Sequence, residues 1–176
     1  KVGRLLAVGM RNGYLLVVDE KFAPVAKTQH SKTGHAISVI KFSHDDSICA
    51  VAGHDGRVRL YDVASKFRKA TVIKKNTSTV THLDFSADGR YLMTNSLSYE
   101  VLFFDAKTGK HISKCSELRD VKWLTWSCTF GWPVQGIFPA NSDGSDVNTC
   151  ARSPDGAVLA TGDDFGRINL YRFPCP

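Results

Sequence analysis

Asp164-Phe165-Gly166 has the letters of the kinase element whose aspartate holds a magnesium ion. That chemistry also needs a glycine-rich phosphate loop and an H-R-D run, and the sequence has neither. The triplet falls where a tight hairpin is expected, so it reads as a turn. Asn141-Ser142-Asp143-Gly144-Ser145-Asp146 has the flavour of a calcium loop. It lacks the D-x-[DN]-x-[DN]-G spacing and the later bidentate glutamate, which leaves an Asx-rich turn. The six histidines (His30, His35, His44, His54, His82, His111) contain no H-x-x-x-H pair. The five cysteines (Cys49, Cys115, Cys128, Cys150, Cys175) are odd in number and show no C-x-x-C spacing, which argues against a zinc site and a disulfide framework. A reducing, intracellular compartment is the expectation from that usage. No serine or cysteine stands in a G-x-S-x-G setting. No catalytic, cofactor-binding or metal-ligating residue is therefore assigned, and no cofactor or small-molecule substrate is expected. An enzyme would need a convergent polar cluster in one pocket.

Charge offers a different chemistry. Lys66, Arg68, Lys69, Lys74 and Lys75 lie in residues 63–79, a segment without an acidic residue. Residues 140–176 lean the other way, with Arg152, Arg167 and Arg172 against Asp143, Asp146, Asp155, Asp163 and Asp164. A basic strip on a chain of net charge +6 either steers an acidic partner or solvates a loop. Nucleic acid, a membrane surface and an acidic protein all qualify on charge alone. Nucleic acid would need aromatics interleaved for base stacking, and the strip holds only Phe67. Neither nucleic acid nor a membrane is the expected partner.

The elements that must position these residues come from a repeat. The chain has 176 residues, 43% hydrophobic and 23% charged, the balance of a folded domain or a piece of one. No apolar run approaches the roughly 18 residues that span a bilayer. No signal peptide is visible, and residue 1 is Lys rather than Met, so a native start is not expected. Phe42-Ser43 recurs 43 residues later as Phe85-Ser86, and Asp19, Asp62 and Asp105 share that spacing. A further copy begins at Val147 and runs to Tyr171. Within a unit, residues 37–42, 48–52 and 57–61 are rich in β-branched and aromatic residues, and a fourth strand is expected at 68–73 and at 111–115. Ala87-Asp88-Gly89 and Pro154-Asp155-Gly156 supply turn chemistry between them. No helical period is sustained. Four short strands per repeat of this length is the pattern of a β-propeller blade. The Gly34-His35 pair, 25 intervening residues and then Tyr61-Asp62 resemble a WD40 repeat with Tyr in place of Trp. That resemblance implies a structural hydrogen-bond network of His35, Asp55 and Tyr61.

Ser86 and Ser153 are 67 residues apart, so about 24 extra residues intervene, within 117–146. All three tryptophans, Trp123, Trp126 and Trp132, fall there. Such a cluster either packs as a buttress against a neighbouring blade or marks an interface. Arg152 takes the place of Phe42 and Phe85 and should face the core, where it needs a carboxylate partner or an escape to solvent; Asp163 and Asp164 are the candidate partners for a structural ion pair. Trp123, Cys128, Gly131, Gly136, Pro139, Ser142–Val147, Thr161–Gly166 and Phe173-Pro174-Cys175, with Ser96 and Tyr99 before them, closely resemble the C-terminal propeller of the echinoderm microtubule-associated protein-like family.

The fold expectation is thus all-β, about four WD40-type blades of an incomplete propeller. Residues 1–34 would be a partial blade and linker, 35–79 and 80–116 blades, 117–146 the Trp-rich insertion, and 147–176 a partial blade with the closing blade missing. The resemblance implies a scaffold without catalytic activity that binds tubulin and microtubules. It admits other cytoskeletal or axonemal partners and a cytoplasmic, cytoskeletal location, a ciliary or flagellar axoneme included. The strip and the three tryptophans are the expected partner contacts. The alternative is a generic WD40 adaptor with no tie to microtubules.

Overall fold

A computed structural model describes residues 4–138 and 142–176; Pro139 and Asn141, two residues of the sequence motifs, lie outside the described residues. Thirteen strands form four antiparallel sheets among the described residues. The first sheet is β1 (Leu5–Gly9), β2 (Tyr14–Asp19) and β3 (Pro24–Gln29). The second has four strands in order, β4 (Ile37–Phe42), β5 (Ile48–Gly53), β6 (Val58–Asp62) and β7 (Arg68–Ile73). The third is β8 (Val80–Phe85), β9 (Tyr91–Ser96) and β10 (Val101–Asp105), and the last is β11 (Val147–Arg152), β12 (Val158–Asp163) and β13 (Ile168–Arg172). The propeller-like architecture agrees with the repeat.

The period-two alternation of a strand explains the stacking. On β5, Cys49 and Val51 enter one buried cluster with Leu15, Val17 and Tyr61, while Ala50 and Ala52 enter another with Leu83, Phe85 and Phe104. On β10, Phe104 joins that second cluster and Phe103 a third, with Trp123, Trp126 and Leu159. β5 and β10 thus each feed two cores, one on either side of the sheet. A small sheet with two apolar faces is stable only when both are covered by neighbours.

Repeated local devices set the register. β4, β8 and β11 each slip at the same place, between Ile37 and Val39, Val80 and His82, and Val147 and Thr149. The bulge adds one residue, so Val80 and Leu83 reach the same core despite an odd spacing. Ser38, in the first slip, donates its hydroxyl to the carbonyl of Val80 and ties one first strand to the next. The hairpins that follow share one construction. Ser43, Ser86 and Ser153 donate to Asp45, Asp88 and Asp155, and accept the N–H of Ile48, Tyr91 and Val158 at 3.0, 2.9 and 3.0 Å. Asp19, Asp62 and Asp105 close β2, β6 and β10 and accept backbone N–H bonds from the turns that follow. That equivalence makes β1 a second strand of its repeat.

The expected strand at 111–115 does not form. One bridge joins His111 to Phe104, and a 3-10 turn then covers Cys115–Leu118. The chain leaves the edge there because Leu118 is drawn into the third core, where it is 2% exposed. A second 3-10 turn spans Trp132–Ile137.

Candidate protein-interaction site

The Trp-rich insertion is a wall between the third and last sheets. Trp123 bridges Ser86, and Leu124 N–H donates to Phe85 O at 2.9 Å. On the other side, Arg152 N–H donates to Trp126 O at 3.2 Å. Trp123 and Trp126 are 6% and 2% exposed and pack edge to face. Burial of about 150–250 Å² per ring explains why they face inward. This corrects their expected partner role: both are core. Trp132 differs. It is half-buried, stacks on Phe103 with centroids 5.7 Å apart, and lines an apolar groove of about 350 Å³ with Tyr99 and Phe130.

Asp84 holds the wall in place, and the sequence reading missed it. Its carboxylate is fully buried and accepts from the N–H groups of Ser127 and Cys128 at 2.7 and 3.0 Å, and from the hydroxyls of Ser127 and Thr125. Lys41 Nζ lies 3.6 Å away. Lys41 and Asp84 are repeat-equivalents 43 residues apart, so opposite charges at one strand position were the available signal.

Arg152 does tie the insertion to the last sheet, but without an ion pair. Its guanidinium donates to the carbonyls of Trp123 and Leu124 at 2.6 and 3.2 Å and sits 5.2 Å from the Phe173 ring centre. Strand pairing explains the correction. Arg152 is opposite Leu159, whereas Asp163 is opposite Val147, at the far end of the hairpin. Asp163 instead accepts N–H bonds from Phe165 and Arg167, and Asp164 accepts from the Asn148 amide. Asp164-Phe165-Gly166 is the tip of the next hairpin, between β12 and β13, with Phe165 66% exposed. Asp143 and Asp146 accept from the Ser145 and Asp143 N–H groups, an Asx turn.

The expected His35–Asp55–Tyr61 network forms around a different histidine. His30 Nε2 accepts from Arg59 at 2.9 Å, since arginine only donates. Its Nδ1 then carries the proton and faces Tyr61 Oη at 3.4 Å. Arg59 also pairs with Asp55 at 2.7 Å. Burial, with the Arg59 charge beside it, lowers His30 to about 4, so the ring is neutral. Burial pushes Asp55 up, but the hydrogen bond and charge of Arg59 outweigh it and hold the carboxyl below its usual range. The correction has a local cause. His30 follows β3 directly and is carried inward, whereas Ser31–Gly34 turn the chain and leave His35 exposed beside Thr33.

All five residues of the basic strip are exposed. Lys66 sits in a turn at φ 54°, Arg68 and Lys69 open β7, and Lys74 and Lys75 follow it. Phe67 is 3% exposed, edge-on to Phe42, so the strip offers no aromatic to solvent. Lys69 and Lys74 line an open cleft of about 800 Å³, bordered by Gln29–Thr33 from the first sheet and the 54–57 turn of the second. Among the described residues no cluster of three or more His, Cys, Asp or Glu is placed to hold a metal ion. Burial pushes the Cys49 and Cys150 thiols up to about 12 and raises Cys128, the opposite of what a nucleophile needs. No helix of the described residues is long and apolar enough to cross a membrane.

Residues 1–176 match the model of the second β-propeller of echinoderm microtubule-associated proteins. The chain belongs to this family. It is 43% identical over 175 residues to the 77 kDa echinoderm microtubule-associated protein of Strongylocentrotus purpuratus. It is 39% identical to echinoderm microtubule-associated protein-like 2 of Rattus norvegicus and 35% to the human protein-like 1, each over 176 residues. Every one of these alignments covers 98% of this chain but 25%, 27% and 22% of the relative, so the chain spans about a quarter of their length. Among solved structures, a chain of the mitotic checkpoint complex superimposes with a TM-score of 0.73. It is 17% identical, and the match covers 96% of this chain and 60% of the other, which supports the propeller fold alone.

Proposed function

We propose that this chain is part of a microtubule-associated scaffold that binds tubulin and performs no reaction. The observation that carries this reading is the match of the whole chain to a propeller of proteins named for microtubule association. The physical mechanism is a rigid platform of stacked sheets whose loops meet a broad protein surface. Tubulin is acidic, so the exposed strip Lys66, Arg68, Lys69, Lys74 and Lys75 is the electrostatic contact. Its partners are microtubules and other cytoskeletal or axonemal proteins, and its location is the cytoplasmic cytoskeleton, a ciliary or flagellar axoneme being one such lattice. Co-sedimentation of the intact protein with microtubules at rising salt tests this. Charge reversal at the five positions is expected to shift release to lower salt and flatten the salt dependence. Unchanged pelleting and slope would make the strip a solvated surface.

The groove at Trp132 favours a second reading, an adaptor for another protein through an apolar anchor. Pull-down with and without tubulin separates the two: capture of the same partners after tubulin depletion supports the adaptor.

A further inference from the structure

The five basic residues of the strip do not all line one cleft. Lys69 and Lys74 turn into the cleft between the first and second sheets, whereas Lys66, Arg68 and Lys75 do not line it. Two more cations enter the same cleft from other segments, Lys32 from the turn after β3 and Arg57 from the turn between β5 and β6. All four are exposed, and none is ion-paired among the described residues. The one carboxylate in the cleft, Asp55, is already held by Arg59 at 2.7 Å. Residues that merely solvate a loop or guard a sheet edge have no reason to converge from three segments on one concavity. Four cations that share a cleft repel one another and are relieved by a bound polyanion.

The shape and lining narrow the ligand. A cleft of about 800 Å³ is of the size that accepts a whole multi-group ligand, several times what one phosphate fills. No Phe, Tyr or Trp lines it, and its aromatic rings are imidazoles only, the buried His30 and the exposed His35 and His54, a smaller stacking surface for bases than the large aromatics give. The hydroxyl-bearing segment Thr77, Ser78 and Thr79 forms part of the wall and suits peptide groups between the charges. We propose that this cleft is a receptor for an extended acidic peptide, with Lys32, Arg57, Lys69 and Lys74 taking successive carboxylates. The proposal rests on the reading above that the partner is acidic, and it places the receptor in four residues from two sheets rather than along the strip.

The test is fluorescence anisotropy of the intact protein with labelled octaglutamate, beside octaglutamine, inorganic phosphate and an eight-residue oligothymidylate. Lys69→Glu with Lys74→Glu is expected to weaken octaglutamate binding at least tenfold, and Lys32→Glu with Arg57→Ala to do the same. Lys66→Glu with Arg68→Glu and Lys75→Glu reverses more charge outside the cleft, and is expected to cost less than threefold. Thermal melts of each variant check that these exposed substitutions leave the fold intact. Equal losses from the two groups would overturn the proposal in favour of diffuse attraction. So would absent octaglutamate binding, full displacement by millimolar phosphate, or tighter binding of the oligothymidylate. Octaglutamate binding through the cleft by a protein that fails to pellet with microtubules would leave the receptor standing and remove the microtubule reading.

Discussion

Asp84→Ala removes the carboxylate that anchors the insertion to β8. Four donors lose their acceptor at once: the N–H groups of Ser127 and Cys128 and the hydroxyls of Thr125 and Ser127. The hydroxyls can rotate toward other acceptors, but the two amides are fixed by the backbone. A buried N–H left without a partner costs about 1–3 kcal/mol, so the substitution is expected to destabilise by roughly 3–5 kcal/mol. For a cooperative unit of this size each kcal/mol lowers Tm by about 2–4 °C, which gives a drop of roughly 6–20 °C. Asp84→Asn keeps one carbonyl acceptor and should lose about half as much. Lys41→Met should cost less than about 1 kcal/mol, because the Lys41 side chain is 28% exposed and 3.6 Å away. Hydrogen exchange read at individual amides is the decisive assay. Ser127 and Cys128 should lose protection in Asp84→Ala while β5 and β6 keep theirs. A loss below about 1 kcal/mol with protection retained at both amides would refute the anchoring role.

Three further outcomes are expected. Ser86→Ala removes a fully buried hydroxyl that joins the exposed Asp88 to the Tyr91 N–H, and should cost about 1–2 kcal/mol in chemical denaturation, more than Ser153→Ala, whose hydroxyl is only half-buried. Hydrogen bonds from Ser43 and Ser47 lower Asp45 to about 2, so its contribution to stability is present above the unfolded value near 4 and is lost as pH falls through 2. An NMR titration should show this, with Ser43→Ala moving the midpoint upward. Arg152→Ala should destabilise by about 2–3 kcal/mol through the freed carbonyls of Trp123 and Leu124, and Arg152→Lys should restore only part, since a lysine lacks the flat guanidinium that also lies over the Phe173 ring; a thermal melt of the three proteins decides it.

The repeat by itself determines most of the fold. Phe-Ser at a spacing of 43 and the aspartates at 19, 62 and 105 mark strand ends and turns, because a turn's chemistry lies in a few adjacent residues. The ranges read for 37–42 and 68–73 agree with β4 and β7. Family membership was legible for the same reason, in local runs such as Ser142–Val147 and Thr161–Gly166. Side-chain partners were not. Sequence placed His35 with Tyr61, but the turn after β3 delivers His30 instead. It offered Asp163 to Arg152, but antiparallel pairing puts them at opposite ends of one hairpin. It left Trp123 and Trp126 open as partner contacts, and the packing of two sheets closed them. Asp84 drew no notice at all, because its partners lie more than forty residues away. Strand identity and turns depend on neighbours along the chain, so the sequence alone determined them. Which charge meets which donor, and which lysines share a cleft, depends on how the sheets stack, and only the tertiary structure decided that.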